Sequence, residues 1–227
     1  MAKTKDAKVT DQERPQDRTR SNILEIATRE FSEKGLAGAR VDEIAERTQT
    51  SKRMIYYYFE SKEGLYRAVL EKVYEQIRLI ESGIDIEHLS PEGALRELVQ
   101  VTFDWHHKHP DFVRLVMNEN IHQGEHIGSM AVIKSRRQTI IELLRKLLTR
   151  GAKEGAFRGD IDPIDLHMSI SALCFYNVSN RHTFSRIFER DMTSPKAVAA
   201  RREIVVETIL RWCAVEAGRP ARTRAKH

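Results

Sequence analysis

From Ile23 to Cys213 the apolar side chains return every three or four residues, and nowhere do they alternate in twos. An amphipathic helix needs the first period and a half-buried strand the second, so the chain reads as all-α. Ile23, Ala27 and Phe31 form a first stripe that stops at Gly35, and Val41, Ile44 and Ala45 a short second one. Ser51 stands as an N-cap for Lys52 to Phe59. Leu65, Val69, Val73 and Ile77 carry a long run to Ser82-Gly83. Ser90-Pro91, Pro110 and Asp162-Pro163 each open a further helix, as a cap followed by Pro in the first turn should. A long run over about residues 129–154 carries Ile140, Leu144, Leu147 and Leu148. A last one, over about residues 196–217, places Val205, Ile209 and Trp212 on one side with Val206, Leu210 and Cys213 beside them. About nine helices are expected.

With 41% apolar and 31% charged residues over 227 positions, the chain has the balance of a globular protein, which excludes a disordered or collagen-like one. No run approaches the roughly 18 apolar residues of a membrane span, and the N-terminus leads into polar sequence, so a cytoplasmic protein with no membrane partner is expected. Cys174 and Cys213 lie far apart with no C-x-x-C spacing, and both read as small buried apolar residues. A Gly-rich phosphate loop, H-E-x-x-H and G-x-S-x-G are all missing, which argues against an enzyme and leaves no cofactor implied.

A net charge of +5 suggests nucleic acid, but Arg219, Arg222, Arg224 and Lys226 supply most of it from the last nine residues. Met1 to Tyr66 holds 13 basic and 12 acidic residues. Any argument for DNA must therefore rest on where the charges sit.

The arrangement is informative between Arg40 and Lys62. Two short helices joined by a turn of three or four residues, supported by a preceding helix, follow the helix-turn-helix plan, whose second helix fits the major groove. Lys52 and Arg53 open that second helix, where the helix dipole adds to their attraction for phosphate or guanine. Tyr56, Tyr57 and Tyr58 offer hydroxyls on rigid side chains, and one of the last two is expected to be partly buried against the first helix. Lys62 begins the next helix, a favoured place for a phosphate.

The run Ile23 to Gly35, then Val41-Asp42-Glu43-Ile44-Ala45, then Ser51 through Leu65 with its S-K-x-x-I-Y-x-Y-F-x-S-K-E-x-L pattern, resembles the N-terminal domain of the TetR family of bacterial transcriptional regulators. The resemblance covers about residues 17–77; beyond it only helix order and length are similar. It implies a three-helix N-terminal helix-turn-helix domain joined by a long helix to a C-terminal helical ligand-binding and dimerisation domain. The boundaries would be a flexible arm at 1–16, the DNA-binding domain at 17–77 with its motif at about 40–59, the effector domain at 78–217 and a basic tail at 218–227. By the resemblance the protein is a homodimer on a pseudo-palindromic double-stranded operator. Arg40 and Val41 begin the helix packed on the DNA backbone, Lys52, Arg53 and Met54 reach bases or phosphates, Tyr56 and Lys62 hold phosphates, and Tyr57 or Tyr58 completes the contact. Two positions depart from the family. Gln49 stands where Gly is usual, so the turn either holds an L-residue left-handed at about 1 kcal/mol or is reshaped. Arg53 replaces a small residue, adding a base contact or shifting the docking.

A small organic effector is the second implied partner. Asn118 and His122 in the sixth helix, Phe175, Tyr176, Asn177 and Arg181 in the eighth, and Tyr74, Trp105 and His106 are the candidate pocket residues, since amides and aromatics on apolar helices suit a greasy site with a few orienting groups. The plain alternative is that they cap helices or satisfy one another. Arg181, pointing inward, would favour a carboxylate. Glu119, His122 and His126 have a spacing metals can use only if the helix passes Gly124, so no metal is expected. Val205, Ile209 and Trp212 serve either the core or a two-fold dimer seam, and the resemblance favours the seam. The functional expectation is a repressor released from its operator by a ligand. The alternatives are a ligand-independent regulator or activator of the same fold, or a helical interaction module using the basic tail.

Overall fold

The computed structural model of the chain describes residues 15–84, 87–128 and 131–215. The expected N-terminal arm, to residue 14, and the basic tail lie outside the described residues. Among those residues are ten helices: α1 (Pro15–Gly38), α2 (Val41–Thr48), α3 (Lys52–Phe59), α4 (Lys62–Ser82), α5 (Pro91–Lys108), α6 (Pro110–Ile121), α7 (Ala131–Lys153), α8 (Pro163–Ser179), α9 (Arg181–Ile187) and α10 (Pro195–Cys213). No strand occurs among them, only an isolated bridge between Phe157 and Ala214. No described helix is long and apolar enough to cross a membrane.

The helix starts are written in side-chain oxygens. Ser51, Ser90, Asp162 and Ser194 each accept backbone N–H bonds from the first turn of the helix they precede. In the last three, Pro follows the cap, where its missing N–H costs nothing. The tenth helix is α9, which runs seven residues after Asn180 closes α8 and buries none of them, so no apolar stripe announces it.

The contacts fall into two compact units, one ending at Val69 and one beginning at Leu70. In the first, Ile23, Phe31, Ile44, Ile55 and Leu65 are fully buried, and Phe31 meets Tyr66 edge-on at 5.1 Å. Gly35, at φ 67°, breaks the regular geometry of α1 and turns the chain toward α2. Gln49 holds the left-handed conformation at φ 53° and ψ 36°, and the turn is closed by the Thr50 N–H donating to the Ala45 carbonyl at 3.0 Å. The turn therefore keeps its form and Gln49 bears the steric cost. Gln49→Gly is expected to stabilise this unit by about 0.5–1 kcal/mol, a two- to fivefold gain in hydrogen-exchange protection of the α2 and α3 amides.

In the second unit α5, α8 and α10 pack together, with α7 closing the core. Leu95, Leu144, Leu166, Cys174, Val205 and Val206 lie at its centre. Arg202 clamps Asp104 through two bonds of 2.9 Å, tying α10 to α5. Both cysteines are free and buried, and burial pushes their thiols up to about 12. Neither is expected to react with an aromatic disulfide reagent at pH 8 until the protein is denatured; fast labelling of the native chain would contradict their burial.

α8 and α10 each present apolar residues on two faces. Val205 and Ile209 are inside the core, at 0% and 2% exposure, whereas Ile204 and Trp212 face outward. The expectation that Val205 and Ile209 anchor a dimer seam is therefore corrected: this chain's own core uses them. On α8, Ile164, Met168 and Tyr176 are exposed, spaced four and eight residues apart.

Candidate functional site

α3 buries Ile55 and Phe59 and turns the rest of its surface outward. Lys52, Arg53, Met54 and Tyr56 are exposed, and Tyr57 is 76% exposed. Tyr58 is half-buried, edge-on to Tyr57 at 5.5 Å and tilted against Phe59. Beneath, the Arg20 guanidinium lies 5.3 Å from the centre of the Phe59 ring. Arg40 is exposed beside this face, but the Val41 side chain is buried in the unit's core. Val41 can therefore reach a phosphate only through its backbone.

The cations on this surface are not equivalent. The Lys52 ammonium sits 3.0 Å from Asp42, and that bond raises its pKa. Lys62 Nζ donates to the Ala37 carbonyl at 3.3 Å. Arg53 makes no ion pair among the described residues. Its guanidinium has no partner among the described residues and can form a bidentate contact without giving one of them up.

Two residues outside the expected set hold the site in place. Glu30 of α1 is 1% exposed and accepts bonds from Lys34 at 2.8 Å and from the Arg40 N–H at 3.3 Å, with Arg47 at 3.5 Å. Arg40 is the N-cap of α2 and caps nothing with its own side chain, so a carboxylate from another helix satisfies this end. Lys34 also bonds Glu43, and both carboxylates raise the Lys34 pKa while Lys34 lowers that of Glu43. Glu30→Ala is expected to cost about 1–3 kcal/mol in urea unfolding of this unit, because the Arg40 N–H, Lys34 and Arg47 lose the buried carboxylate they share. Gly64 is the second. Its N–H donates to Ser61 Oγ at 2.9 Å, and a Cβ there would collide with the Phe59 carbonyl oxygen.

The second unit holds a cavity of about 810 Å³. Tyr74 and Ile77 of α4, His106 of α5, Phe112 and Val116 of α6, Ile140 and Ile141 of α7, and Ile164, His167, Ser171 and Phe175 of α8 form its wall, with Glu142 and Arg145. Its size suits a small organic ligand. Of the expected pocket residues it gathers Tyr74, His106 and Phe175. Trp105 is buried behind the wall, stacked on His109 at 4.5 Å and edge-on to Phe112. Tyr176, Asn177 and Arg181 line a separate cleft of about 170 Å³ with Phe184, Arg190 and Arg201. Arg181 lies beyond the end of α8 and does not reach the larger cavity. Asn118 and His122 line neither space; His122 is the exposed C-cap of α6. Buried Glu119 meets His126 instead, at 3.0 Å. The polar residues near the end of α8 line the smaller cleft and not the larger cavity. The cavity face of α8 is Ile164, His167, Ser171 and Phe175, a spacing of three and four residues visible in the sequence.

Comparison with known proteins bears on both units. Residues 23–69 match the model of bacterial regulatory proteins of the tetR family, and residues 91–209 match the C-terminal domain of tetracyclin repressor-like proteins. The transcriptional repressor NicS of Pseudomonas putida is 36% identical over 195 residues, 86% of this chain and 92% of that protein. A solved transcriptional regulator of Streptomyces coelicolor, SCO4942, shares 27% identity with a TM-score of 0.65, covering 86% of this chain and 98% of its own. A tetR-family protein from Rhodococcus RHA1, at 20% identity and a TM-score of 0.68, covers 88% of this chain and 98% of its own and shows the shared fold. With the helix-turn-helix in place and both family models matched in order, the chain belongs to the TetR family and is a DNA-binding transcriptional regulator, not an enzyme.

Proposed function

We propose that this protein is a homodimeric repressor that leaves a pseudo-palindromic operator when a small organic effector enters the cavity of the second unit. The observation that carries the reading is that Tyr74 and Ile77 of α4 belong to the cavity wall while Lys62 opens the same helix beside α3. A ligand that prefers one placement of α4 biases α3 with it, and a coupling of about 1–3 kcal/mol is a 5- to 150-fold change in operator affinity. The name of the similar NicS supports repression. Arg40, Lys52, Arg53, Met54, Tyr56, Tyr57 and Lys62 form the DNA face, with Tyr58 at its edge. The exposed apolar residues Ile164, Met168 and Tyr176 of α8, with Ile204 and Trp212 of α10, form the seam between subunits. As a regulator that acts on DNA, it works in the cytoplasm.

Enriching random duplexes on the purified chain tests the DNA half, and an inverted repeat is the expected result. Removing residues 219–227 should leave that affinity nearly intact; loss on removal, with no loss in Lys52→Ala/Arg53→Ala, would show tail-driven binding instead. Met168→Lys should dissociate the dimer in sedimentation. An effector that binds the cavity without changing operator affinity would sink the coupling.

A further inference from the structure

The buried imidazole in the cavity wall fixes what the effector must offer it. We infer that the effector is a flat, largely apolar molecule that donates a hydrogen bond, from a hydroxyl or an N–H, to Nε2 of His106; this rests on the cavity being the effector site.

His106 is 3% exposed and lines the cavity. Its Nδ1 lies 2.7 Å from the Thr102 carbonyl oxygen. A carbonyl oxygen only accepts, so Nδ1 carries the proton. Burial lowers the His106 pKa and outweighs the Thr102 bond, which raises it, with His109 and His167 adding to the lowering, so the neutral ring is favoured. Nε2 is then a bare lone pair, and among the described residues it has no hydrogen-bond partner. The ring cannot turn to suit another ligand, because Trp105, Phe112 and Phe175 stand edge-on around it at 5.6, 5.7 and 6.2 Å. A ligand carbonyl or carboxylate at Nε2 would set lone pair against lone pair. Moving the proton to Nε2 would only transfer the conflict to the Thr102 carbonyl.

The remaining wall agrees. Phe112 and Phe175 offer aromatic surface, and Tyr74 backs it, edge-on to Phe112 at 5.3 Å. Among the described residues the one Lys or Arg side chain in the wall is Arg145, exposed and paired with Glu142 on the same helix, so beside His106 an anion meets no buried guanidinium or ammonium there. Arg181, the residue that would have favoured a carboxylate, lines the other cleft.

The test uses the full chain and two matched sets of probes: phenol, anisole and benzoate, and 2-naphthol, 2-methoxynaphthalene and 2-naphthoate. Binding is measured by ligand-observed NMR. Each hydroxyl compound is expected to bind about tenfold or more tightly than its ether and its carboxylate, the loss of one buried hydrogen bond. In His106→Phe that ratio should fall to within about threefold. Ethers or carboxylates that bind as well as the phenols, or a preference that survives His106→Phe, would overturn the inference. A ¹⁵N spectrum of the histidine rings of the unsubstituted protein tests the same point without a variant: a protonated Nδ1 supports it and a protonated Nε2 overturns it. Ser171→Trp, which puts an indole into the cavity from the wall that carries His167 and Phe175, separates the two levels of the proposal. If no probe binds, or binding persists in Ser171→Trp, the cavity is not the ligand site and the reading beneath the inference fails; if Ser171→Trp abolishes binding that shows no donor preference, only the inference does.

Discussion

Replacing Arg53 by Ala is expected to weaken operator binding at least 30-fold and to relax the base preference at one position of each half-site. A bidentate arginine contact to guanine is worth about 1–3 kcal/mol, and a two-fold dimer loses it twice, about 2–6 kcal/mol in all. Arg53 can deliver that contact because no carboxylate among the described residues holds it. Lys52 must first leave Asp42, so Lys52→Ala should cost less and act evenly on all sequences, lowering the salt dependence by about one ion per subunit. Arg53→Lys should fall near Arg53→Ala, since an ammonium cannot reproduce the planar fork. Fluorescence anisotropy on the selected operator and its single-base variants, at two salt concentrations, separates these outcomes. Equal weakening by Lys52→Ala and Arg53→Ala on every sequence would mean that neither reads a base.

The DNA-binding half was legible because its information is local. Caps, the breaking glycine at Gly35 and the period of Ile23, Ala27 and Phe31 act within a few residues, and they sufficed to place α1 to α4. Even the departure at Gln49 could be weighed before its left-handed geometry was visible. Glu30 could not be found that way. It is one more charged residue on α1 until folding brings the Arg40 N–H and two cations to it.

The second half was legible in its elements and not in their facing. α8 is apolar nearly all round, so its period cannot orient it, and α10 carries Val205 and Ile209 on one face and Ile204 and Trp212 on another. Which stripe is core depends on α5 packing against both. The cavity has the same dependence: five helices supply its wall, and the amides that looked like orienting groups sit at the end of α8, in a different cleft. His106 was identifiable as a candidate from sequence, but its acceptor character required the Thr102 carbonyl.

Gly64→Ala should do more damage to DNA binding than the loss of any single contact, while leaving the second unit intact. The added methyl group meets the carbonyl oxygen of Phe59, which is backbone at the end of α3 and cannot swing aside as a side chain would. The corner is held on both sides of that carbonyl: Ser61 N–H donates to it at 2.7 Å, and Ser61 Oγ holds the Gly64 N–H. Glu60 between them already has a positive φ of 65°, a strained conformation for a residue with a side chain, so little slack remains. Overpacking costs about 1–3 kcal/mol where side chains can yield, and a backbone obstacle puts this case at about 3 kcal/mol. Part of the strain will be relieved by tilting α3 away from α4, which misplaces Arg53 and the tyrosines together. The expected result is loss of measurable operator binding, early unfolding of the first unit in urea, and unchanged probe binding in the cavity. Because the proposed seam on α8 and α10 is untouched, Gly64→Ala subunits should still pair with unsubstituted ones and take them off the operator in a mixed-subunit titration. Wild-type operator affinity in Gly64→Ala would show that the α3–α4 corner is softer than its hydrogen bonds imply.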